Sequence, residues 1–310
     1  MANRIPARAA KASLTAAAVT TNIYKGANNK TLIQGIIFRL ILLSALTVAL
    51  IMIFAIVAWA VVEGGQRVNV GLFVNNPSSF RPEEAGYRPA ILGTVQLIAG
   101  VIGLIVPLGI SAATYLELFA DKTRWYNRLI ELNIQNLAGV PSIVFGILGL
   151  AFIVRGIFDL GFVVAAGSAT VAILVLPTVI LASREAIRAV PSSLLDGAMA
   201  LGATRWQAVW KMVLPSAAPG MLTGVILAVA RAIGEAAPLL LVGAATFVTF
   251  DPNFWEGGYS ALPVMIYSYA GRPQEEFHTL AAAGVLVMLA VLFVINSVAV
   301  WLRAKYERNW

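Results

Sequence analysis

Apolar residues fall in long blocks along this chain, with charged residues gathered between them. Runs at 40–62, 91–116, 158–181, 220–245 and 280–302 each reach the roughly 20 residues that a helix needs to cross a bilayer. A sixth, 137–154, is shorter, but it carries no charge and lies between charged stretches, so it is counted with them. The pattern predicts an all-α, polytopic membrane protein with six transmembrane helices. It divides the chain into a tail at 1–39, a first span at 40–62, an external loop at 63–88, a five-span core at 89–302 and a short tail at 303–310.

Several prolines sit inside these blocks. Pro107, Pro141, Pro177 and Pro238 each remove a backbone donor that lipid cannot replace, which predicts close packing or a water-lined cavity around them. Small residues at Gly100, Gly103 and Gly109, at Gly146 and Gly149, and at Gly220 and Gly224 offer faces for such packing. The intervening stretch 246–279 contains an apolar piece, 262–270, too short to span, which predicts an interfacial or re-entrant helix against lipid headgroups.

Composition agrees with lipid as the solvent. Hydrophobic residues make up 59% of the 310 positions and charged residues 12%, against about a quarter charged in a soluble domain. The net charge of +7 would point to nucleic acid in a soluble protein, but here the basic residues are sorted by side. With the spans above, 16 of the 22 Lys and Arg lie on the side of both tails and 5 on the other, which predicts cytoplasmic N- and C-termini in a multi-pass cytoplasmic membrane protein and no nucleic-acid partner. The first apolar run is too long, and its preceding tail too extended, for a cleaved leader, so it is read as a retained span. There is no cysteine and His278 is the single histidine, so no thiolate or histidine metal centre is expected, and no cofactor.

Two places depart from the plain pattern. The first is the cytoplasmic segment 182–219, which reads as helix, glycine break, helix: Pro191-Ser192-Ser193 starts the first, Gly202 stops it, and a second apolar stretch from Val209 is closed by Pro215. Outside the membrane and too apolar for a free linker, it wants a docking surface. The second is the pair Arg231 and Glu235 at the middle of the fifth run. Each charge costs about 2.5–3.5 kcal/mol there, so such residues usually face a pathway. A self-contained ion pair that locks helix position is the plainer alternative. Arginine's planar fork suits an oxyanion.

The spacing Asp196-Gly197-Ala198, three residues, Gly202, nine residues, Met212-Val213-Leu214-Pro215 resembles the EAA loop of the membrane subunits of bacterial ABC importers, with Asp for Glu, Gly for the second Ala and Met for Ile. The resemblance places a coupling loop at 184–218 and implies that Leu195, Asp196, Gly197, Ala198, Leu201, Gly202 and Arg205 engage a cytoplasmic ATPase. No Gly-x-x-x-x-Gly-Lys-Ser/Thr phosphate cradle occurs in the chain, so no catalytic residue is expected and a separate subunit must hold ATP.

Stretches 137–146, 201–206 and 231–240 are similar to the phosphate-specific transport permeases, and Pro107-Leu108-Gly109-Ile110 with Leu262-Pro263-Val264 favours the PstA type over the PstC type. That resemblance implies a MetI-like importer permease fold, Arg231 and Glu235 in the substrate path of inorganic phosphate, and as partners a PstC-type permease, a PstB-type ATPase dimer, a periplasmic phosphate-binding protein and membrane lipid. A PstC-type or sulfate/molybdate permease, and an ion-coupled secondary anion transporter, are the alternatives. Glu235 is also expected to accept a hydrogen bond from the P–OH of hydrogen phosphate, which sulfate lacks.

Overall fold

The computed structural model describes residues 29–244 and 247–306, so most of the expected tail at 1–39 falls outside the described residues. Two compact units divide at Ala58 and Trp59. In the first, the described residues form one helix, α1 (Asn29–Gly64), which runs on into the second unit. Its side chains from 33 to 56 are all exposed. A helix apolar all round, without a proline, suits lipid on every side. It begins well before residue 40, so the last third of the expected tail is helical.

The second unit is built on four long helices, α3 (Arg88–Thr114), α6 (Val164–Arg188), α9 (Leu214–Gly234) and α12 (Glu275–Tyr306), with a short α2 (Val70–Val74) ahead of them. At 1.5 Å per residue α3 is about 40 Å long, ample for a hydrocarbon layer of about 30 Å. The centre is α6, which packs against both α3 and α9 and is the most deeply buried of the spans. Val101 and Ile105 of α3, Val171, Val175 and Val179 of α6, and Ala228 and Ile233 of α9 form its core.

Small residues set these spacings. A Cβ at Gly109 would lie 2.7 Å from Val179 Cγ1, and one at Gly224 would lie 2.4 Å from the Ala182 Cβ. Gly103 meets nothing within 4 Å among the described residues of this chain. Pro107 and Pro177 are carried inside continuous helices, whereas Pro141 and Pro238 stand at helix starts, where a missing N–H costs nothing.

Three of the six expected runs change shape. Run 137–154 is bent: α4 (Trp125–Leu137) meets the helix Ser142–Val154 at 112° across Pro141, and the second arm comprises α5 (Ser142–Leu148) and a π turn (Gly149–Val154). The described residues thus hold five helices long and apolar enough to cross a membrane, or six when that bent pair counts as one. Residues 158–163 are a loop, with Asp159 at φ 40° and Gly161 at φ 74°, so the fourth run starts at Val164 and extends to Arg188.

The fifth run starts earlier and breaks at its middle. Short α8 (Arg205–Ala208), a π turn (Val209–Val213) and α9 form one stretch from Arg205 to Gly234, followed after the break by α10 (Ala237–Leu241). Pro215 therefore does not close a helix. The wide turn before it, where Leu214 N–H bonds Val209 O, carries the chain past the missing donor.

The stretch 262–270 is α11 (Leu262–Ala270), and most of it is covered by protein, with Tyr267 and Ala270 exposed. Leu262, Val264, Met265 and Tyr269 are fully buried beneath α3 and α12. The loop before it is equally fastened: Thr94 Oγ1 accepts from Leu262 N at 2.9 Å, Gln96 Nε2 donates to Pro252 O at 3.0 Å, and Arg88 grips Asp251 through two bonds of 3.0 and 2.7 Å.

Candidate functional site

Arg231 lies in the last turn of α9 and Glu235 just beyond it. Glu235 has left the helix, with φ −79° and ψ 108°, and the chain re-enters helix at Ala237. The two charges thus flank a break rather than riding one face of a continuous helix. Arg231 Nε donates to Glu235 Oε1 at 3.2 Å, and the side chains are 42% and 17% exposed. The terminal guanidinium nitrogens of Arg231 make no bond among the described residues. The ion pair uses one edge of the fork and leaves two donors open to a bidentate anion.

The break has neighbours of its own. Gly146 of α5 approaches α10 so closely that a Cβ there would lie 2.7 Å from Pro238 Cα. At five residues, and 13 from Ser142 to Val154, neither piece reaches the usual spanning length, and they pack on each other. Broken backbone in a spanning segment is tolerated where protein or a water-lined cavity satisfies it.

The second feature is α7 (Ser192–Ala200), which buries none of its side chains fully. Leu195 leans on the apolar cluster of Val209, Val213 and Leu214, whereas Asp196 and Gly197 are exposed and Ala198 is half-buried. Gly202 ends the segment at φ 89°, a left-handed conformation that glycine adopts without a Cβ penalty. Leu201 beside it is 91% exposed. Between α7 and the following helix lies a recess of about 510 Å³ lined by Leu194, Gly197, Ala198, Leu201, Lys211 and Met212.

The following helix starts by a reciprocal cap: Thr204 Oγ1 accepts from Gln207 N at 3.3 Å, and Gln207 Oε1 from Thr204 N at 3.0 Å. Arg205 is exposed and turns toward the end of α3. Its guanidinium bonds the carbonyl of Leu118 and sits 5.5 Å from the Phe119 ring centre.

That contact leads to a feature that sequence reasoning missed. The turn Tyr115–Phe119, which ends α3, carries Glu117, a carboxylate only 7% exposed. Its Oε1 accepts from Lys122 Nζ at 2.9 Å and Arg188 Nε at 3.2 Å, and its Oε2 from Arg184 Nε at 3.3 Å and Arg188 Nη2 at 3.1 Å. Arg184, itself 5% exposed, also donates to Glu131 of α4 at 2.7 Å. In the sequence these cations counted only toward sidedness. Nearby, the hydroxyl and backbone N–H of Thr123 donate to Asp121 at 2.6 and 2.9 Å and hold its carboxyl below the usual range.

Fold and site together define the class. Residues 105–308 match the family described as the binding-protein-dependent transport system inner membrane component, and the chain belongs to that family. Among relatives, a probable ABC transporter permease protein, YqgH of Bacillus subtilis, is 31% identical over 71% of this chain and 72% of its own. The phosphate transport system permease protein PstA 1 of Mycobacterium tuberculosis is 30% identical over 258 residues, 81% of this chain and 83% of its own. Among solved structures, a chain of the bacterial alginate ABC transporter in complex with its alginate pentasaccharide-bound periplasmic protein superposes with a TM-score of 0.63 at 15% identity, covering 85% of this chain and 92% of that one. That identity carries the fold alone, all-α and MetI-like; it is the family that makes the chain an inner-membrane transport component.

Proposed function

We propose that this chain is the PstA-type permease subunit of an ATP-driven importer carrying inorganic phosphate across the cytoplasmic membrane. The observation that carries this is the 258-residue relationship to a phosphate transport permease. The break that presents Arg231, with its two open donors, in the middle of the fifth apolar run supports it. The chain itself performs no covalent chemistry. A PstC-type permease completes the path, a PstB-type ATPase dimer supplies the work, and a periplasmic phosphate-binding protein delivers the substrate.

In this reading both termini and α7 are cytoplasmic, in keeping with the sorted basic residues. The recess beside α7, with Leu201 at its rim, receives the ATPase. ATP binding draws the coupling helices of the two permeases together and opens the path outward, and hydrolysis resets it inward. The test is uptake of radiolabelled phosphate by cells that carry the complex. Expected are loss of uptake when the ATPase is deleted, persistence when an uncoupler collapses the proton gradient while ATP is maintained, and co-purification of the chain with an ATPase and a second permease. Recovery of the chain alone, with uptake abolished by uncoupler, would establish a secondary transporter instead.

A further inference from the structure

We propose that Glu117 is a positioning residue for energy coupling: its carboxylate ties the end of α3 to the end of α6, so that displacement of α7 moves the spans instead of being absorbed in the loop. The inference rests on the reading of α7 as the coupling helix and adds to it the joint through which the movement passes.

The geometry is a segment pinned at both ends to one five-residue turn. Only residues 189–191 separate Arg188, the last residue of α6, from Ser192, the first of α7. At that end Arg184 and Arg188 hold Glu117 of the turn Tyr115–Phe119. At the far end, past Gly202, Arg205 bonds Leu118 O and covers the Phe119 ring, while the Trp206 ring lies 6.1 Å from that of Phe119. The helix and its flanking turns therefore form a closed span of chain fastened to the base of α3. Through Arg184 the same joint reaches Glu131, on the helix that leads into α5.

The chemistry suits a joint more than a surface decoration. Two carboxylate oxygens accept four bonds from three cations, and Glu117 and Arg184 are almost wholly withdrawn from solvent, where screening is weak. Charge-assisted bonds of this kind have fixed directions, so the joint resists rotation as well as separation. Without the carboxylate, Lys122, Arg184 and Arg188 repel one another, and the base of α3 is held to α6 only by the apolar cluster that includes Ala113, Leu116, Ile180 and Ile187.

The test reads phosphate uptake and ATP hydrolysis in the same proteoliposomes, with the complete transporter reconstituted. Glu117→Gln is expected to leave hydrolysis within about twofold of the parent while phosphate moved per ATP falls at least fivefold. Glu117→Asp, which keeps the charge, is expected to recover part of that ratio. Arg188→Gln serves where Glu117→Gln does not assemble, because Arg188 is half exposed and Glu117 keeps Lys122 and Arg184. It is expected to lower the ratio two- to threefold. An unchanged ratio in the assembled variants overturns the proposal, and so does a proportional fall of uptake and hydrolysis, which marks fewer intact complexes. A parent complex with no ATP-dependent uptake refutes instead the assignment of the chain as an importer subunit.

Discussion

At Arg231 the choice of guanidinium over ammonium matters more than the charge. One edge of the fork is held by Glu235 at 3.2 Å, so the side chain is oriented before an anion arrives, and the remaining donors are parallel. Lysine keeps the charge but is a point donor that cannot serve both partners in this geometry. Arg231→Lys is expected to slow phosphate uptake by about tenfold or more, in line with the loss of one charge-assisted bond, and Arg231→Gln to abolish it. Initial uptake rates at saturating phosphate check both. Glu235 gives a sharper discrimination. In the proposed path its side chain would accept from the P–OH of hydrogen phosphate and disfavour an anion with no proton to offer. Glu235→Gln is expected to make uptake sensitive to excess sulfate, and transport with unchanged sulfate resistance would place specificity elsewhere, in the binding protein.

Among the elements, packing of α9 on α6 depends on the absence of side chains at two positions, Gly220 against Ala186 and Gly224 against Ala182, whereas α3 carries a glycine of similar appearance, Gly103, that nothing approaches. Gly224→Val inserts a branched side chain where even a Cβ would lie 2.4 Å from Ala182, and is expected to cost about 1–3 kcal/mol, seen as a lowered melting temperature of the purified complex. Gly103→Ala, in open space within α3, is expected to be neutral or to stabilise by up to about 1 kcal/mol in the same assay. Gly202→Ala strains a φ of 89° by about 1–2 kcal/mol and should weaken retention of the ATPase on purification, whereas Asn is expected to be tolerated there. The contrast between Gly103 and Gly224 also shows what could be read beforehand. Apolar length located the spans, and the glycine spacing around 196–202 located α7, because both are local properties. The break at Glu235 was signalled only by Gly234 and Pro238, residues that spanning helices also carry without breaking. Pro215 misled because a π turn before it removes the obligation to stop. The Glu117 joint links residues 67 and 71 positions apart, and no periodicity reports a contact at that range.

For the molecule as a whole, the absence of cysteine makes sidedness directly measurable. Ser193→Cys on α7 and Trp255→Cys in the loop before α11 are both at exposed positions. A membrane-impermeant thiol reagent is expected to label the second in intact spheroplasts and the first only after permeabilisation, and the reverse pattern would invert the orientation of the chain. The wide turn at Val209–Val213 has a consequence for the same long-range order. Such a turn holds one residue more than an α-helical turn. Deleting a single residue there, Trp210 for example, would restore regular helix with the two sides nearly in phase, whereas tightening into regular α-helix with every residue kept would rotate everything upstream against everything downstream by about 100°. With α9 seated in the core, the twist would fall on α7; with α7 docked, it would turn Arg231 to another face of the bundle. The extra residue therefore acts as a phase setting between the two working ends of the chain. Alignments that place no gap at this turn against a relative with regular helix there would pair the wrong helix faces on one side of it.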